Sequence, residues 1–284
     1  MNMSVMSSTT ARRPLLVIEP PSPWAALEVS EVWRFRDLLV ALAARDVKLR
    51  YRQTVLGVAW VMLQPLLAAA IFAFVFGRVA KLPSEGAPYF VFAFAGMMGW
   101  NAFGQTITKA GFSLIGNAHL VSKVYFPRLI LPLSTLFSTL IDFAVALVLV
   151  VGMMVWYGIN PGWAVLTLPV WLALLLLLAM GVSFFVAALM VSYRDVQYVV
   201  PVVLQLLTYA SPVAYAVSAV PERFRDAYML NPLAGLLQVF RWSLLGAGEV
   251  HWGWVGYSAG MAVAVFVIGA YAFRRMERQF ADVI

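Results

Sequence analysis

Long unbroken apolar runs dominate this chain, and each is bounded by short polar segments. They fall at residues 56–76, 89–107, 133–156, 164–190, 199–217 and 255–271, each close to the ~20 residues that a helix needs to cross a bilayer. The first is preceded by a different pattern. On a helical wheel Val40, Ala44, Val47 and Tyr51 share one stripe, Arg45, Lys48 and Arg52 share the opposite one, and Arg50 sits between. This predicts an amphipathic helix over residues 29–55 that lies in a membrane interface and leads into the first span. At about 1 kcal/mol per basic residue, the four cations would hold it to an anionic leaflet by roughly 4 kcal/mol. They serve either as topology anchors or as contacts to a substrate.

Composition agrees with the pattern. Hydrophobic residues make up 63% and charged residues 12% of the chain, far from the balance of a soluble domain. The expected class is an all-α integral membrane protein of six transmembrane helices over residues 56–284. The net charge of +7 is spread over juxtamembrane segments and accompanies no nucleic-acid-binding motif, so it reads as topology. Lys and Arg concentrate in the N-terminal region, the loop after the second span and the C-terminal tail, which predicts both termini on the cytoplasmic side. Residues 1–28, with Pro14, Pro20, Pro21 and Pro23, lack a signal-peptide core and are expected to form a disordered cytoplasmic tail.

Two polar segments interrupt the spans in an informative way. Residues 109–132 are too polar for lipid. Within them Asn117 is placed to cap a short helix, AHLVSKVY, that ends before Pro127. Such a helix reads as a docking element or as a simple connecting turn. In residues 218–254, Asn231 and Pro232 form an N-cap and first-turn pair, and Leu233, Leu236, Leu237, Phe240 and Leu244 follow at helical spacing. The run stops at Gly246, too short to cross, and is expected to dip into the outer leaflet or lie on it, with Trp242, Trp252 and Trp254 at the interface.

Candidate chemistry is sparse. There is no GxxxxGK[ST] loop, HExxH or GxSxG, and Asp195 and Glu277 are isolated, so no catalytic residue is assigned. The absence of cysteine removes disulfides and thiolate metal sites, and His119 and His251 lie far apart, so no metal site is assigned either. Asp142 is the one carboxylate deep in a span, where a central Asp costs about 2.5 to 3.5 kcal/mol. It is expected to hydrogen-bond a Ser, Thr, Asn or Gln of a neighbouring helix. Gln64, Asn101, Gln105 and Gln205 add intramembrane polar groups that either bind helices together or line a hydrated path.

Three pieces, RDVKLRYRQTVLGVAWVMLQPLL, GNAHLVSKVYFPRLILPLST and LNPLAGLLQVFR, resemble the permease subunits of type-2 ABC exporters for polysaccharides, the family of O-antigen, capsule and teichoic-acid exporters. The likeness runs from about residue 44 to the C-terminus. It implies a homodimer of six-span subunits in the bacterial inner membrane, two copies of a cytoplasmic ATPase that binds the ATP and Mg, and a lipid-linked polysaccharide passing between the permeases. This chain would bind no cofactor itself. Capsule-type members would add periplasmic export partners. The implied coupling helix spans residues 117–125, with Asn117, His119, Leu120, Val121, Lys123, Val124, Tyr125 and Arg128 at the ATPase contact. Arg45, Lys48, Arg50 and Arg52 would meet the lipid headgroup. Asn231, Pro232, Leu236, Phe240 and Arg241 would belong to a periplasmic gate.

Overall fold

In lipid, every backbone polar group needs an internal partner, so apolar runs of this length fold as helices. The computed structural model describes residues 29–52 and 58–277, with side chains over residues 31–49 and 62–277. The expected tail at residues 1–28 and the side chains of Arg50 and Arg52 fall outside the described residues. Every regular element among the described residues is helical. The chain opens with α1 (Val29–Arg34) and α2 (Arg36–Arg52), then α3 (Val58–Phe72), which widens into a π-helical stretch at Ala73–Val79. It continues with α4 (Tyr89–Gly116), α5 (Ala118–Lys123), α6 (Ile130–Tyr157), a 3-10 turn at Gly162–Thr167, and α7 (Leu168–Ser192). Last come α8 (Val196–Tyr209), α9 (Glu222–Met229), α10 (Pro232–Leu245) and α11 (Trp252–Glu277).

Four helical stretches among the described residues are long and apolar enough to cross a membrane: Met62–Val79, Ile130–Tyr157, Gly162–Ser192 and Trp252–Glu277. At the centre of the bundle α4 packs on α7, and α7 packs on α11. The second contact is backbone to backbone. A Cβ at Gly181 would stand 2.6 Å from the backbone of Phe266, so only glycine lets the helices approach this closely. One apolar cluster joins Leu42, Leu114, Val121, Ile130, Phe184 and Phe273 at the end of the bundle that carries α2 and α5. Arg274 pairs with Glu31 at 3.4 Å, so the described chain begins and finishes at this same end.

Three sequence expectations change. First, α4 is 28 residues long and runs to Gly116, which puts Lys109 inside a helix rather than in a loop. Second, the run 199–217 is not one helix. α8 stops at Tyr209 after 14 residues, too short to cross, because Pro212 has no N–H to donate and disfavours helix at Ser211 before it. Residues 210–216 continue without helix, and Ser211, Val213, Ala214 and Ala216 are buried. Third, the face of α2 that packs on the bundle carries Leu38, Leu39, Leu42 and Ala43, whereas Val40, assigned to the apolar stripe, is 57% exposed.

Candidate functional sites

At the end of the bundle where α5 lies, the chain builds a projecting knob on a fixed base. Val121 is buried and Leu120 is half-buried against the chain's own core, so these two hold α5 in place. His119, Ser122, Lys123, Val124 and Tyr125 are exposed. Of the apolar residues assigned to the ATPase contact, Val124 and Tyr125 are the ones open to another molecule, while Leu120 and Val121 face the chain's own core. Asn117 precedes α5 but does not cap it with its side chain. Its Oδ1 instead accepts Nη2–H of Arg45 at 2.8 Å, and its Nδ2–H donates to the Ser113 carbonyl at 2.8 Å. Arg45 also donates to Asp46 at 2.8 Å. The cation assigned to a ligand is thus engaged in tying α2 to the α4–α5 junction, while Lys48 stays exposed. Behind the knob, Arg128 donates from its backbone N–H to Glu277 Oε1 and from Nη1 to the Glu277 carbonyl, both at 3.3 Å. A cavity of about 450 Å³ lies here, lined by residues 121–128, Glu31, Arg274 and Glu277.

A second place lies between α3, α4 and α6. Asp142 has a cation as a partner as well as the polar surroundings expected of it: Lys109 Nζ donates to its Oδ2 at 2.8 Å. Thr139 is 3.5 Å from the same ammonium. Gln64, Asn101, Gln105, Thr139 and Asp142 share one cleft of about 150 Å³. The sequence held a signal for this grouping that the span boundaries hid. Asn101, Gln105 and Lys109 recur every four residues, and Thr135, Thr139 and Asp142 recur at helical spacing, so each set shares one helix face. Gln205 stands apart, exposed on α8.

The third place is at the opposite end. Asn231 caps α10 as expected, its Oδ1 accepting Leu233 N–H at 3.1 Å, with Pro232 in the first turn and Gly246 at φ 65° ending the helix. α10 does not lie on a surface, however. Leu236, Phe240 and Arg241 are buried, Phe240 ring to ring with Phe143 on α6. Arg241 is 2% exposed and clamps the non-helical stretch after α8: Nη1 donates to the Pro212 carbonyl at 3.0 Å and Nη2 to the Tyr215 carbonyl at 3.4 Å. Its guanidinium also stacks 3.9 Å over the Phe92 ring. Asn231 Nδ2–H donates to the Ala210 carbonyl at 3.2 Å, and the Tyr89 hydroxyl donates to the Ala214 carbonyl at 2.8 Å. Buried carbonyls without helical partners need such donors. Gly96 on α4 leaves room for the Val213 carbonyl where any Cβ would collide with it. Trp163, Trp242 and Trp252 stack edge to face beside α10. Sequence reasoning assigned Arg241 to a gate and missed the clamp. The available signal was a lone cation within LNPLAGLLQVFRWSLL.

The described residues thus form a helical bundle with a short helix, α10, sunk among its long ones and a projecting knob at one end. A sequence profile described as ABC-2 type transporter matches residues 37–245. The chain belongs to the ABC-2 type transporter family. It is 29% identical over 249 residues to the O-antigen export system permease protein RfbA of Klebsiella pneumoniae, covering 87% of this chain and 95% of that protein. The protein of the same name from Myxococcus xanthus is 30% identical over 215 residues, 75% of this chain and 82% of its own length. The polysialic acid transport protein KpsM of Escherichia coli is 23% identical over 244 residues, 84% and 92% of the two chains. As an ABC-2 permease the chain is a multi-pass membrane protein of transport rather than an enzyme. The family match includes residues of all three places, while Glu31 precedes it and α11 lies beyond it.

Proposed function

We propose that this chain is the membrane subunit of an ATP-driven exporter that moves a lipid-linked polysaccharide across the bacterial inner membrane, working as a homodimer with two ATPase subunits. The observation that carries the reading is similarity along most of the chain to permeases named for O-antigen and polysialic acid export. In this reading six segments cross the membrane: α3, α4, α6, α7, α8 together with residues 210–216, and α11. An even number of crossings agrees with the pairing of Glu31 and Arg274 at one end. That end is cytoplasmic, in keeping with the exposed cations Arg36, Arg45 and Lys48.

The ATPase would grip the knob at Val124 and Tyr125, just past the end of α5, with Lys123 at the rim. A knob moves its host as a rigid body only if it is anchored. Val121 fixes it to the core, Asn117 ties it to α2 through Arg45, and Arg128 ties the following loop to the end of α11. Movement of the ATPase would then displace α2, α4, α6 and α11 together. Deleting the gene in a cell that displays a surface polysaccharide tests the reading: immunoblotting should find the polymer inside the cell and absent from the surface. Unchanged surface polymer would refute it.

A further inference from the structure

The cleft between α3, α4 and α6 has no part in ATPase docking. Gln64 and Gln105 are exposed and Asn101 is half-buried. None of the three amides makes a hydrogen bond among the described residues. Apolar neighbours Leu63, Leu67 and Ile71 are exposed on the same helix as Gln64. Open amides and an ion pair at membrane depth are costly against hydrocarbon, so this strip needs water or a polar ligand.

The composition of the cleft narrows the ligand. The one charged side chain in the lining is Asp142, a carboxylate that accepts from Lys109 Nζ at 2.8 Å, so the wall does not favour a phosphate. Each carboxamide offers both donors and an acceptor, and Thr139 adds a hydroxyl, a set that matches groups which themselves donate and accept, namely alcohols. Phe143 and Met98 supply an apolar floor for C–H faces. The volume of about 150 Å³ exceeds tenfold the ~10–15 Å³ that one water requires and is on the scale of one sugar unit.

We propose that the Gln64, Asn101, Gln105 and Asp142 cleft is a subsite for uncharged sugar units of the exported polymer, placed in the wall of its path through the membrane. The proposal rests on the polysaccharide-export reading and adds to it a named contact. The glycan would thus be held at an amide-lined wall, apart from the cations of α2.

The absence of cysteine makes the test clean. In cells, Gln105→Cys is exposed to a water-soluble maleimide, once in a strain that assembles the polysaccharide and once in a strain blocked in its first glycosyl transfer. The expected result is ready labelling without polymer and labelling about tenfold slower with it, the protection that a few hydrogen bonds of ordinary strength give. Equal rates in the two strains overturn the proposal. So does an absence of labelling in both, which means that lipid or a second copy covers the strip. In a second arm, Gln64→Leu with Gln105→Leu should lower surface polymer about tenfold at equal amounts of membrane-inserted protein, because two hydrogen-bonding side chains are lost. Full export by this variant overturns the subsite. If gene deletion stops export while the cleft variants export normally, only the cleft assignment falls. If deletion itself leaves surface polymer unchanged, the functional reading falls first.

Discussion

The clamp at Arg241 offers the sharpest test of how this fold is held. Arg241→Met keeps the length and apolar stem of the side chain while removing the guanidinium. The buried carbonyl of Pro212 and the half-buried one of Tyr215 lose their donor, and a buried acceptor left unmade costs about 1–3 kcal/mol. The stacking on Phe92 goes as well, worth about 2 kcal/mol for a desolvated cation. The relief of no longer burying a cation offsets part of this, so the net loss should be about 3–5 kcal/mol, as when one partner of a buried charged contact is deleted. At 2–4 °C per kcal/mol for a chain of this size, the melting midpoint should fall by roughly 10 °C. Thermal unfolding of the purified protein in lipid nanodiscs measures this, with limited proteolysis of residues 210–216 as a local readout. Arg241→Lys, which retains the charge but not the fork of donors, should fall between the two. A methionine variant that melts with the wild type and resists protease at that stretch would refute the clamp. If it also exported poorly, the defect would belong to gating instead.

Further outcomes follow from the other contacts. Asp142→Asn leaves Lys109 without its carboxylate and should destabilise by about 3 kcal/mol, with recovery when Lys109→Gln is added; the melting curves of single and double variants decide. Val124→Asp with Tyr125→Asp should release the ATPase on co-purification while leaving the melting curve unchanged, whereas Lys123→Ala should weaken retention only slightly because a rim charge contributes little. Glu85, in the turn before α4, has its carboxyl pushed above the usual range by burial, with Glu249 adding to the shift and Arg241 opposing it. A raised folded-state value favours the protonated form. Its stabilisation is therefore complete below the ordinary value of 4.5 and is lost as pH rises through the raised one. Glu85→Gln should flatten this part of the stability-versus-pH curve and raise the melting point at neutral pH; an unchanged profile would show that the carboxyl is solvated.

The sequence by itself determined that this is a helical membrane protein, because each apolar run long enough to cross lipid can satisfy its backbone only as a helix. It also determined local signals with local causes: the Asn231 cap with Pro232, the stop at Gly246, and a short helix between Asn117 and Pro127. It went wrong where a side chain had alternative partners. Asn117 could cap α5 or serve Arg45 and Ser113, and only the approach of α2 selected the second arrangement. Asp142 could meet neutral groups alone or a cation as well, and the extension of α4 past residue 107 delivered Lys109. Hydropathy likewise read residues 199–217 as one span, since it measures the transfer cost of side chains and not the fate of carbonyls. Whether that stretch could break at Pro212 depended on Arg241, Asn231 and Tyr89 arriving from two other helices to supply the missing donors. Partners brought from distant parts of the chain are set by packing, and packing is what tertiary structure alone decided.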